Sequence, residues 1–76
     1  MTRITKLGYY LGKRSVNKAQ VARRTGLTRA RMNELTLTET AKLRAEELYL
    51  IALAINVNPG EMLMDMYQDL KLIEES

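Results

Sequence analysis

Apolar residues recur along this chain at intervals of three and four, and nowhere do they alternate with polar residues for long enough to make a strand. The pattern predicts an all-α chain. Ile4, Leu7 and Leu11 make the inward stripe of a first helix from about Thr2 to Lys13. Gly8 and Gly12 either weaken that helix, by about 1 kcal/mol each relative to alanine, or allow another helix to approach closely. Asn17 opens a second helix, Lys18 to Thr25, and Gln20 three residues later completes the form of a capping box. Val21 and Ala22 point inward, and Gly26 follows the last turn as a left-handed C-cap. Leu27 turns inward and Thr28 caps a third helix, Arg29 to Leu35. Two short helices joined by a tight, glycine-containing turn have the geometry of a helix-turn-helix.

Residues 36–43 read as a connector, polar at Thr36, Thr38, Glu39 and Thr40. A fourth helix is expected from Ala45 to Ile55, with Glu46 and Glu47 at its positive end. Asn58-Pro59-Gly60-Glu61 is the clearest start signal, with an Asn cap, Pro in the first turn and Glu at the third position. The fifth helix that it opens is expected to reach about Glu74. The expected architecture is a compact bundle of five helices forming one domain over residues 1–76. Its helix-turn-helix lies at 17–35 and a candidate association helix at 59–74.

Composition narrows the chemistry. A chain of 76 residues buries only about 60% of the surface its unfolded form exposes, and with no cysteine no disulfide can supplement the core. The 46% hydrophobic content is that of a globular protein. The absence of histidine and cysteine removes the commonest general base, nucleophile and metal ligands. Glu61, Asp65 and Asp69 fall four apart on a helix exterior, which is the pattern of a solvated face more than of a metal site. No catalytic residue, cofactor or metal is expected. Without a run of about 20 apolar residues or a signal-peptide pattern, the expectation is a cytoplasmic protein with no membrane association.

Charge matters by position. Residues 1–45 carry eleven Lys/Arg against two acids, a net +9, whereas residues 46–76 carry one against seven, a net −6. The basic half calls for a polyanion, and the acidic half opposes non-specific coating of one. Solvation of helix faces would account for the same basic residues.

Residues 17–35, Asn-Lys-Ala-Gln-Val-Ala-Arg-Arg-Thr-Gly-Leu-Thr-Arg-Ala-Arg-Met-Asn-Glu-Leu, resemble the helix-turn-helix of the Cro/cI-like (XRE-like) phage repressors. Ala22 stands at the small position where the two helices touch, Gly26 at the turn, and Val21, Leu27, Met32 and Leu35 at the apolar positions. Leu48, Ile51, Ala52, Ile55 and the run Asn56-Val57-Asn58-Pro59-Gly60-Glu61-Met62-Leu63 are similar to that family's fourth and fifth helices, so the resemblance covers about residues 4–66. Two positions depart from it. Thr25 precedes the turn glycine where the family is usually apolar. Thr36-Leu37-Thr38 follows the recognition helix where a Glu and a Gly are common.

On the third helix, the face opposite Met32 and Leu35 carries Ala30, Asn33 and Glu34, with Arg29 at the exposed N-terminal end. Arg29 suits guanine O6 and N7, Asn33 suits adenine N6 and N7, and Ala30 suits a thymine methyl. Glu34 can accept from cytosine N4, repel phosphate, or simply pair with Arg31 at i, i+3. By resemblance, these four positions match the family's base readers. Phosphate contacts are expected from Lys18 at the N-terminus of the second helix, from Arg31, from Lys42 and Arg44 after the connector, and from Arg14. Lys13 and Arg14 equally complement the dipole of the first helix, and Arg23 and Arg24 are expected to cap the second. Four to six phosphate contacts imply a log–log salt slope of roughly −4 to −5.

The fourth helix is apolar nearly all round, because Tyr49, Leu50 and Leu53 add to its core positions. Leu63, Met66, Leu70 and Ile73 follow 3-4-3 spacing in the fifth. Leu50, Leu53, Leu63, Met66, Leu70 and Ile73 are therefore the expected surface of a homodimer, or else of a C-terminal helix folded back within one copy. The leading reading is a sequence-specific double-stranded DNA-binding transcriptional regulator of the phage or mobile-element repressor type, working as a dimer on two half-sites about one turn apart. The alternative is a protein-interaction module on the same fold, such as an adaptor or antitoxin component. An RNA-binding bundle would need an aromatic stacking platform, and the four tyrosines fall in helices one, four and five.

Overall fold

A computed structural model describes residues 4–74. Five helices follow one another: α1 (Lys6–Lys13), α2 (Lys18–Thr25), α3 (Arg29–Leu37), α4 (Ala45–Ala54) and α5 (Pro59–Tyr67). α1 packs on α3 and α5, α2 on α3 and α4, and α4 on α5. Leu7, Tyr10, Leu11, Val21, Ala22, Met32, Leu35, Leu48, Ile51, Ala52, Met62 and Met66 meet in the common core. Burial of one such aliphatic side chain is worth about 1.5–3 kcal/mol. Ala22 is small where α2 crosses its neighbours, and Ile51 and Ala52 have no exposed surface.

The caps explain most helix boundaries. Asn17 accepts from the Gln20 N–H (3.1 Å), Thr28 from the Arg31 N–H (3.0 Å), and Asn58 from the Gly60 and Glu61 N–H groups (2.8 and 3.2 Å). Gly26 closes α2 at φ 82°, where any other residue would be strained, and its N–H reaches the Ala22 carbonyl at 3.0 Å. α4 has arginine at its N-cap, which offers no acceptor. There Glu47 reaches back instead and accepts the Arg44 N–H at 2.9 Å.

The first helix is shorter than its apolar stripe suggests. Thr5 is its cap, accepting from the Gly8 N–H (3.0 Å), so the chain at Ile4 is not helical and Ile4 is exposed rather than in the core. Thr2 lies outside the described residues. Thr5 also ties α1 to α3: its N–H donates to the Thr36 carbonyl (3.1 Å) and its hydroxyl to the Leu35 carbonyl (2.6 Å). Those carbonyls end α3 and have no partner within that helix. This explains why α3 continues to Leu37 instead of giving way to a connector at Thr36. Thr36 is buried, and its hydroxyl donates back to the Met32 carbonyl at 2.8 Å. Thr25 is likewise satisfied in place, donating to the Val21 carbonyl at 2.8 Å.

α5 ends at Tyr67, not near Glu74. A turn follows in which Leu70 N–H reaches the Tyr67 carbonyl (3.0 Å), and Asp69 is held by Lys6 Nζ at 2.9 Å. Residues 70–74 are non-helical and exposed, and a helical extension with nothing to pack against is marginal in water. The expected 3-4-3 seam is therefore not formed. Met66 is buried against the core within the single chain and is not available to a second one. Leu70 and Ile73 lie beyond the helix and do not continue the line of Leu63.

Candidate nucleic-acid interface

The outer face of α3 is free of core contacts. Successive residues turn by about 100°, so Met32, Leu35 and Thr36 face inward while Arg29, Ala30, Asn33, Glu34 and Leu37 face out, and all five are exposed. On one flank of this face, Arg29 and Asn33 border a cleft whose opposite wall is Lys18 and Ala19 at the start of α2, with Met32 between. The start of α2 thus shares this cleft with Arg29 and Asn33, and a helix start of this kind favours an anion. Lys18 Nζ also lies 3.4 Å from the Thr36 hydroxyl. Three expected site residues, Lys18, Arg29 and Asn33, are brought together here.

The other flank is held by an ion-pair network. Arg31 donates from Nε to Glu47 Oε2 (2.8 Å) and from Nη2 to Glu47 Oε1 (2.9 Å), a bidentate pairing between α3 and α4. Nη2 also donates to the Lys42 carbonyl (2.9 Å) and Nη1 to Glu34 Oε1 (3.0 Å). Four of the five guanidinium N–H donors are therefore engaged within the chain. Arg31, expected as a phosphate contact, is thus engaged within the chain, where it fastens the connector and α4 to α3. Hydrogen bonding to Glu47 and then Glu34 raises its pKa. The Glu47 carboxyl is held below the usual glutamate value, chiefly by the Arg31 hydrogen bonds, while its burial acts in the opposite direction. Sequence reasoning read Glu47 only as a complement to the helix dipole. A glutamate at the third position of a helix without a capping residue was the signal available for its second role.

The remaining expected cations divide. The Lys42 and Arg44 side chains are exposed on the segment leading into α4. Arg14 lies over the Tyr10 ring (4.4 Å to the centroid) and donates to the Tyr10 hydroxyl at 2.9 Å. Lys13 sits over Tyr9 at 5.1 Å. Arg24 does not cap its own helix. It crosses to α4 and donates from Nη1 to the Ala54 carbonyl at 2.7 Å, while Arg23 stays exposed.

A model of the Cro/C1-type HTH DNA-binding domain family matches residues 6–68, which takes in all five helices. The chain belongs to this family. Neither the comparison with curated proteins nor that with solved structures gives a match. As a Cro/C1-type domain it is a DNA-binding module of the kind found in transcription regulators. No helix among the described residues is long and apolar enough to cross a membrane. No group of three or more His, Cys, Asp or Glu among them is placed to hold a metal ion.

Away from the outer face of α3, α4 exposes Tyr49, Leu50 and Leu53 as one stripe, and α5 exposes Leu63 and Met64. Of the residues expected at a dimer surface, Leu50, Leu53 and Leu63 remain accessible on helices, Leu70 and Ile73 are accessible in the tail, and Met66 is not accessible.

Proposed function

We propose that residues 1–76 act as one sequence-specific reader of double-stranded DNA, a repressor of the phage or mobile-element type that enters the major groove with α3. The observation that carries this reading is the cleft in which Lys18 and the start of α2 stand beside the exposed Arg29 and Asn33. A phosphate bound at the start of α2 would set the depth at which Arg29 and Asn33 meet base edges. Ala30 lies between Asn33 and Glu34 around the outer face, where a longer side chain would hold the helix off the bases. Lys42 and Arg44 take the phosphates on the far side of the groove.

One recognition helix reads few bases, so the working unit is a homodimer on an inverted repeat. The stripe of Tyr49, Leu50 and Leu53, with Leu63 on α5, is the surface assigned to the second copy. It is apolar where a solvated helix face would carry charge. The same stripe favours one competing reading, a module that docks on another protein. Selection from a random duplex library, with Arg29→Ala alongside, tests the choice. Enrichment of an inverted repeat with half-sites about one turn apart, lost in the variant, is the expected result. Weak binding without enrichment would refute DNA reading and turn attention to the α4 stripe.

A further inference from the structure

Glu34 is the one acidic residue on the outer face of α3, and its surroundings are specific. One carboxylate oxygen, Oε1, accepts from Arg31 Nη1 at 3.0 Å. Oε2 makes no hydrogen bond among the described residues, and the side chain remains largely exposed, at 58%. Arg31 cannot swing to follow it. Its Nε and Nη2 edge is clamped by the two oxygens of Glu47, itself only 9% exposed, and Nη2 is further held by the Lys42 carbonyl. The guanidinium is planar and its donors are fixed relative to one another, so clamping one edge sets the direction of Nη1. The chain from α4 through Arg31 thus fixes where the Glu34 carboxylate stands on α3.

We infer that Glu47 and Arg31 are positioning residues that preset Glu34 Oε2 as an acceptor for a cytosine N4 amino group, so that a contact made in α4 determines base preference at one position of the site. This inference rests on the DNA-binding reading above. Three physical points support it. Carboxylate oxygens accept and do not donate, so among base edges in the major groove they select the amino donors, and glutamate pairs with cytosine N4. A free glutamate side chain has much rotamer freedom to lose on binding, and the Arg31 bond removes part of that loss in advance. Arg31 also offsets the charge that a bare carboxylate would present to the nearby phosphates. Glu34 sits at the flank of the face opposite to Arg29 and Asn33, so its position in the half-site is separable from theirs.

The test is library selection with the full chain as wild type, Glu34→Ala, and the double variant Arg31→Met/Glu47→Met, each checked for cooperative melting by circular dichroism. Methionines replace the ion pair by apolar bulk, a change that often preserves folding. The wild type should prefer cytosine at one position of each half-site. Glu34→Ala and the double variant should both lose that preference by about five- to tenfold, while the positions read by Arg29 and Asn33 keep theirs. A purely structural Arg31–Glu47 pair would instead change overall affinity and leave the preference at every position intact, which would overturn the inference. So would a Glu34→Ala variant with an unaltered motif. If the double variant does not fold, Glu47→Gln decides: a reduced cytosine preference upholds the inference and an unchanged one overturns it. Failure of the wild type to enrich any motif would be a different result, because it removes the DNA-binding reading itself.

Discussion

Gly8 and the Thr36 carbonyl oxygen lie so close that a β-carbon on residue 8 would collide with that oxygen and with the Ile4 side chain. The approach lets the Thr5 N–H and hydroxyl reach the end of α3. The obstacle is backbone, so it cannot rotate away. Gly8→Ala is expected to destabilise by about 1–3 kcal/mol, the cost of overpacking. Gly12, on the same helix, has nothing within 4 Å of its would-be β-carbon. Gly12→Ala should therefore stabilise by about 0.5–1 kcal/mol. Urea denaturation of the two variants should give shifts of opposite sign.

Two helices end on a non-glycine residue in the left-handed region, Ser15 after α1 at φ 53° and Asn56 after α4 at φ 61°. In each, the following N–H closes a wide turn, Val16 to the Leu11 carbonyl (3.3 Å) and Val57 to the Ala52 carbonyl (2.9 Å). Serine tolerates this conformation less well than asparagine. Ser15→Gly is expected to raise stability by up to about 1 kcal/mol, and Asn56→Gly by clearly less. Thermal melts of the pair check the ranking.

Much of the fold was legible in the sequence because its signals are local. Asn17, Gly26, Thr28 and the Asn58-Pro59 pair each act within four residues, and each marks a boundary where the helix stands. The Gly8 question had two answers in sequence, and only its distant partner Thr36 decides between them. The errors at Ile4 and beyond Tyr67 share a cause. Helical spacing shows that a face is apolar, but not that anything lies opposite to bury it, and Ile4 and Ile73 are both left exposed. The exposed outer face of α3 was visible from periodicity. The engagement of Arg31 was not, since Glu47 lies sixteen residues away across a connector.

Glu47 makes stability sensitive to acid. Its folded pKa is lowered from the ordinary 4.5, first by the Arg31 hydrogen bonds and also by the Arg44 N–H, against burial, which raises it. The stabilisation it gives is therefore fully present above about pH 4.5 and is lost as pH falls through the lower folded value. Asp69, lowered by its bond to Lys6, acts in the same direction. Melting temperature should decline below about pH 5. Glu47→Gln should start lower at neutral pH and decline less steeply, and a variant with an acid limb parallel to wild type would refute this assignment.

Leu50 and Leu53 occupy one exposed stripe of α4, and neither contributes to the core of the single chain. Introducing charge there should leave the fold intact while preventing association. Each leucine buried between copies is worth about 1.5–3 kcal/mol. The double variant Leu50→Asp/Leu53→Asp should therefore sediment as a monomer at concentrations where the wild type is a dimer, with unchanged helical circular dichroism. A wild type that is monomeric at all concentrations, and on DNA, would rule out this surface.

The cations near the recognition helix should separate by salt dependence. Each phosphate neutralised contributes about −0.9 to the log–log salt slope. Lys42 and Arg44 have exposed side chains on the approach to α4, so Lys42→Gln and Arg44→Gln should each make the slope shallower by about 1 per copy and weaken all sequences alike. The Arg31 charge is already offset by Glu47 and Glu34, so Arg31→Met/Glu47→Met should leave the slope nearly unchanged. Fluorescence anisotropy over a salt series on one duplex measures all three. A slope that falls by a full unit with the double variant would return Arg31 to the phosphate contacts, and its bonds within the chain would then have to open on DNA.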